Sequence, residues 1–198
     1  MSVRLMVSGS GSRGLVPGML LALALLAGCS TGLKRASPGP RDVCLRLPPI
    51  VSQQEHFHCG NDAVRQVIQF YRPDIKEEDI RTGSLLFVEA NDTVSILHCL
   101  RDNLSIPLTM QNGRLDGLFA SIASGDPVIV FLPGDAFVVG GFRTFGTLVL
   151  HCIVVVGHSA DGTQLFFYSD GKGPHVISRE VFTRQWARVE NLCIMRAR

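Results

Sequence analysis

The stretch Thr147–His158, "TLVLHCIVVVGH", limits the fold more than any other part of the chain. Its Leu, Ile and Val residues follow one another without helical spacing, and the β-branched ones favour extended backbone. It is therefore read as a long apolar strand. "PVIVFLP" (Pro127–Pro133) reads as a short buried strand and "TQLFFYS" (Thr163–Ser169) as another, with "HVIS" (175–178) and "NLCIMRA" (191–197) as further strand candidates. Upstream the period changes. Ala63, Val64, Val67, Ile68, Phe70 and Tyr71 recur at helical spacing from Gly60 onward, until Pro73 stops the run. "KEEDIRTGSLLFVEA", "NDTVSILHCLRDN" with its Asn91-Asp92-Thr93 cap, and "RLDGLFASIASG" ending at Gly125 read as three more helices. "REVFTRQWARV" is a later helix candidate, and Gly134–Gly146 reads as a glycine-containing loop. Helices first and an antiparallel sheet afterwards define an α+β domain.

A chain of 198 residues, 46% hydrophobic and 18% charged, suits one globular domain, without internal repeats. Its first 28 residues stand apart. Arg4 and Arg13 form a basic flank, Leu15–Ala27 is an apolar run broken by Pro17 and Gly18, and small residues follow. That is the pattern of an export signal, and the run is too short to span a bilayer, which takes roughly 20 residues. Removing residues 1–28 takes two of the 19 Lys+Arg and none of the 17 Asp+Glu, leaving 17 of each sign. Neither that balance nor any basic stripe suggests a nucleic-acid partner.

The signal ends in "LAGCS", which resembles the lipobox of bacterial lipoproteins. The resemblance implies cleavage before Cys29, lipidation of that residue, and, with Ser30 following it, an outer-membrane lipoprotein facing the periplasm. Lipid chains anchor a protein and do not span the membrane. Residues 29–43 are then the lipidated cysteine and a polar tether, with the folded domain over 44–198. Five cysteines remain: Cys44, Cys59, Cys99, Cys152 and Cys193. In an oxidising compartment four could pair and one stay free, and spacing does not say which.

"HFHCGNDAVRQVI" (His56–Ile68) leaves three readings of Cys59: a buried thiol, a metal ligand, or a nucleophile at a helix start. His56, His58 and Cys59 are possible ligands, but no matching Cys/His pair follows later, as structural zinc sites require. A thiol at a helix N-terminus lies where the macrodipole and unsatisfied N–H groups favour the anion. Gly60, next to it, permits close approach of another chain. A thiolate nucleophile needs a base, and the base an orienting group. His151, alone in an apolar strand, is the candidate base.

Hairpin geometry points to Asp170 as the third member. If Ser159–Gly162 form a four-residue loop, Asp170 falls opposite His151. If Asp161-Gly162 form a tight turn, Asp170 faces Ile153 and lies diagonal to His151 on the same face. Either way the Cβ separation is roughly 5–8 Å. A three-residue loop would reverse the parity and separate them.

Gln53, Cys59-Gly60 opening a helix, His151 in an apolar strand and Asp170 after the next strand together resemble the bacteriocin-processing cysteine peptidases, papain-like domains that cut after a double glycine. The similarity covers roughly residues 48–198. It implies a papain-like fold with an N-terminal helical half packed on an antiparallel sheet. It also implies a nucleophilic Cys59, His151 as general base and acid, and Asp170 orienting His151. Gln53, or Gln54 if the loop is shifted by one, donates to the oxyanion beside the Cys59 N–H. No cofactor or metal is implied, and the partner is a peptide or protein substrate. Asn61 and Gly171 stand where the family usually has proline, and the sequence includes no transporter segment, so a secretion role is not implied. The expected activity is peptide-bond hydrolysis through a thioester acyl-enzyme. The alternatives are a papain-like amidase or acyl transferase, with Gly134–Gly146 bordering the cleft, or a non-catalytic peptide-binding lipoprotein.

Overall fold

The computed structural model describes residues 33–50, 59–80, 93–134, 150–169 and 171–197. Seven strands form one antiparallel sheet: β1 (Val43–Cys44), β2 (Leu108–Asn112), β3 (Val128–Pro133), β4 (Leu150–His158), β5 (Gln164–Ser169), β6 (Lys172–Ser178) and β7 (Leu192–Arg196). The order is β2-β7-β3-β4-β5-β6. β1 pairs with Gly157 and His158 of β4, past the point where β3 ends its pairing at Val155. The described residues carry four α-helices: α1 (Cys59–Tyr71), α2 (Thr93–Asn103), α3 (Leu115–Ala123) and α4 (Arg179–Ala187).

β3 and β4 read as unbroken apolar runs because helices cover both faces of the sheet. On one face Ile129, Phe131, Cys152, Val154 and Val156 pack with Val64, Val67 and Ile68 of α1 and with Ile96 and Leu100 of α2. On the other, Val128, Val130, Leu132, Ile153 and Val155 pack with Leu118 and Ile122 of α3 and with Phe182 and Trp186 of α4. Alternation along a strand sends neighbours to opposite faces. With both faces dry, both sets must be hydrophobic. The last strand, β7, fills the gap between β2 and β3, pairing with each, so the C-terminus is tied into the sheet.

α1 and α4 begin and end close to where their periodicity places them, and Ser178 caps α4 by accepting from the Val181 N–H. β2 is a strand that the sequence pattern did not reveal. It is an edge strand whose last residues, Gln111 and Asn112, are exposed, so it carries little apolar signal. Of the helix expected over 76–90, the described part holds a single 3-10 turn at Glu77–Asp79, and the remainder lies outside the described residues. The sequence Leu33–Ala36, expected as tether, lies along β6: the Ala36 N–H donates to the Pro174 carbonyl and the Val176 N–H to that of Lys34.

Helix α1 is buried on nearly all sides through its first turns, where Asn61, Asp62 and Gln66 are enclosed along with the apolar residues. Ile68 is fully buried between α1 and the sheet. Ile68→Ala should lower stability by about 2–5 kcal/mol through lost transfer energy and the cavity left behind. The measurement is a lower urea midpoint at unchanged slope. Val94→Ala, on a residue 47% exposed on α2, should stay within about 0.5 kcal/mol of the parent.

Candidate active site

The site forms where the first residue of α1 meets the start of β4. Cys59 is the first residue of α1, and its side chain is turned into the core, 8% exposed. The backbone N–H of Cys152 donates to Cys59 Sγ at 3.4 Å. Cys152 directly follows His151, so the backbone of β4 reaches the sulfur across a long sequence gap. Two features favour negative charge on this sulfur: the helix N-terminus and the amide N–H aimed at it. His151 is paired with Leu132 of β3 and is also 8% exposed. Its Nε2 lies 3.0 Å from the hydroxyl of Ser169, the last residue of β5.

Ser169 is the residue that sequence reasoning missed, and a β-bulge is the reason. At the hairpin end His158 pairs with Leu165 and Gly157 with Phe166, the register of the tight Asp161-Gly162 turn. Between Gly157 and Val155 the ladder slips by one residue, so Val155 pairs with Phe167 and Val154 with Tyr168. Continued one step, this register sets Ser169 level with Ile153 and diagonal to His151. An unbroken ladder would give that position to residue 170. A one-residue slip exchanges the faces of all that follows. The signal was present in Gly157, a glycine inside an apolar strand, which often marks a bulge or a close backbone approach. Both occur here: a Cβ on Gly157 would collide with the backbone of Val43 and Cys44 in β1.

The turn after Ser169 is tight. Ser169 pairs with Lys172 across it, and Gly171 takes φ +69°, a conformation that favours glycine. Ile50 packs directly on Gly171, where a Cβ would come within 2.7 Å of its side chain. This contact brings the segment that leads toward residues 51–58 against the β5–β6 turn. Gln53, Gln54, His56, His58 and Asp170 lie outside the described residues, as do Cys29 and most of the loop 134–146. Of the expected triad, Cys59 and His151 lie among the described residues: the Cys59 sulfur meets the N–H of the residue after His151, and the His151 ring meets Ser169.

No disulfide joins any two of the five cysteines among the described residues. Their environments differ. Burial pushes the Cys99 thiol up to about 11, with the Asp102 carboxylate adding to it. Burial pushes Cys193 up to about 12 against a smaller opposing effect from the Gly113 N–H. Cys44 is also raised, first by burial, with Arg46 opposing and Asp42 reinforcing. These three remain neutral at ordinary pH. Among the described residues no three His, Cys, Asp or Glu side chains converge as a metal site requires. On the α1 face a cavity of about 550 Å³ lies between Leu47, Cys44 and Tyr168, the neighbour of Ser169.

With this geometry in place, comparison with known proteins defines the fold class. The chain is similar to a protein from Bacillus anthracis whose crystal structure carries the provisional description of a C39-like peptidase. The TM-score is 0.60 at 15% sequence identity, over 79% of this chain and 98% of that one. No protein-family model matches the sequence, and no curated protein does. The architecture is thus the papain-like α+β fold of C39-type cysteine peptidases, with the added detail that helices cover both faces of its sheet.

Differences among the thiols have a direct readout. Iodoacetamide at mildly acidic pH should modify Cys59 first, while Cys99 and Cys193 stay unmodified until the protein unfolds. Peptide mapping by mass spectrometry follows this. Equal labelling of the buried thiols in the native protein would remove the distinction drawn between them.

Proposed function

We propose that this chain is a lipid-anchored cysteine peptidase of the papain-like, double-glycine-cutting kind, acting on a peptide or protein in the bacterial cell envelope. One observation carries the reading: Cys59 stands at the start of α1 and receives the Cys152 N–H on its sulfur, next to His151 in the same strand. The C39-like description of the Bacillus anthracis protein supports the same reaction class. The nucleophile–base pair is the requirement for covalent acyl transfer.

In the proposed reaction His151 takes the Cys59 proton, and the thiolate attacks the scissile carbonyl. The tetrahedral oxyanion accepts hydrogen bonds from the Cys59 N–H and the Gln53 side-chain amide. His151 then gives its proton to the departing amine, leaving a thioester. Water, activated by the same imidazole, hydrolyses the thioester and frees Cys59. Asp170 is assigned to the support of His151. The anchor is assigned to Cys29, which would hold the domain on the periplasmic side of the outer membrane.

Cys59→Ala and His151→Ala should each lower peptide hydrolysis by at least about 1,000-fold. Circular dichroism should match the parent in both. Mass analysis of products with and without added amines separates hydrolysis from transfer. A Cys59→Ala protein as active as the parent would end the peptidase reading. The anchor has its own test. Cells fed labelled palmitate should incorporate it into the parent protein and not into Cys29→Ser, which should also leave the membrane fraction. Equal labelling of the two would remove the assignment of Cys29.

A further inference from the structure

We infer that the segment 33–46 is a basic strap that lays the domain on an anionic phospholipid surface. The inference rests on the assignment of Cys29 as the lipid anchor and adds to it the face that meets the membrane. Residues 29–43 read as a tether, yet Leu33 is already part of the fold. Leu33 packs with the core on the α4 side of the sheet and Ala36 with the core on the α1 side. Arg35 stands opposite His175 in β6, and backbone hydrogen bonds join Lys34 to Val176 and Ala36 to Pro174 around that pair. Farther along, the Leu45 N–H donates to the Val156 carbonyl.

Between Cys29 and Leu33 stand only Ser30, Thr31 and Gly32. An extended chain gains about 3.5 Å per residue, so Leu33 lies within roughly 15 Å of the Cys29 Cα. The Debye length is about 8 Å at physiological salt. A lipid on Cys29 therefore keeps the near face of the domain within one or two screening lengths of the headgroups, where their charge still acts.

Charge is unevenly divided between that face and the rest. Residues 33–46 hold Lys34, Arg35, Arg41 and Arg46 against one acid, Asp42. All four cations are exposed. The Asp42 carboxylate is turned to the backbone, accepting the Gly39 N–H at 2.8 Å and the Ala160 N–H at 2.9 Å. From Cys29 onward the chain has 17 charges of each sign, so the part outside the strap keeps 13 cations and 16 anions. An anionic surface attracts the strap and repels the remainder, which orients the domain. Ala36, Pro38, Pro40, Asp42 and Arg46 line one cavity, so the strap folds back on itself as a patch. Alternation along the stretch beside β6 puts Lys34 on the side of Ala36 and Arg35 on the other, so cations flank this edge of the sheet on both sides.

The test uses the full chain with its lipid, purified from the membrane fraction and placed on vesicles of phosphatidylcholine, alone or with about one-third phosphatidylglycerol. The probe is acetylation of lysine amines by a water-soluble ester, mapped by mass spectrometry. Lys34 reports the strap. Lys76 is the reference, because it follows α1, whose last residue, Tyr71, donates to Asp126 beside Arg196 of β7, away from β6. With phosphatidylglycerol present, Lys34 should react about fivefold more slowly than on phosphatidylcholine alone, with Lys76 unchanged within about twofold. Salt at about 0.5 M should remove the difference. So should the combined Arg35→Gln, Arg41→Gln and Arg46→Gln changes, all at exposed positions. Equal reaction of Lys34 on the two kinds of vesicle, or parent-like slowing in the triple variant, would overturn the inference. If the parent carries no lipid by mass, the anchor assignment fails, while the same comparison with vesicles added to the unlipidated protein still decides whether the strap binds anionic lipid.

Discussion

The contact between the Cys152 amide and the Cys59 sulfur is where the helical and sheet parts of the molecule become one site. Neither residue is special by itself. The sulfur takes its position from α1, which is packed on β4 by Val64, Val67 and Ile68. The amide takes its position from β4, which is held on one side by β3 and on the other by β5. Loosening either packing would part the sulfur from the strand that carries His151 one residue earlier. Burial of the apolar faces thus sets the chemistry. It fixes two rigid elements at a separation where one hydrogen bond can form.

Burial also sorts the cysteines. The same desolvation that stabilises the core raises Cys99 and Cys193 well above the ordinary thiol range. Each is enclosed without a nearby group that rewards negative charge strongly enough to compensate. Cys59 is likewise buried, yet it sits at a helix start with an amide N–H directed at it. A chain with many thiols can therefore hold them in unlike surroundings, with some serving as small apolar residues.

The bulge at Val156 links the fold to the support of His151. A regular ladder would have carried the turn register through to the end of β5. The bulge absorbs one residue beside Gly157, where β1 crosses close to β4, and shifts Ser169 to the position diagonal to His151. A structural accommodation at one end of the strand thereby selects which side chain meets the imidazole at the other.

By itself the sequence determined the order and kind of most elements, because helical spacing from Gly60 to Tyr71 and the apolar runs at 127–133 and 147–158 are local patterns. It also singled out Cys59 and His151, one by its place at a helix start and the other as a lone polar group in an apolar strand. The tertiary structure alone decided that helices cover both faces of the sheet, that β7 enters between β2 and β3, and that Ser169 reaches the His151 ring. These depend on pairing between distant segments. In such pairing a slip of one residue changes which face a side chain occupies while leaving the local pattern untouched.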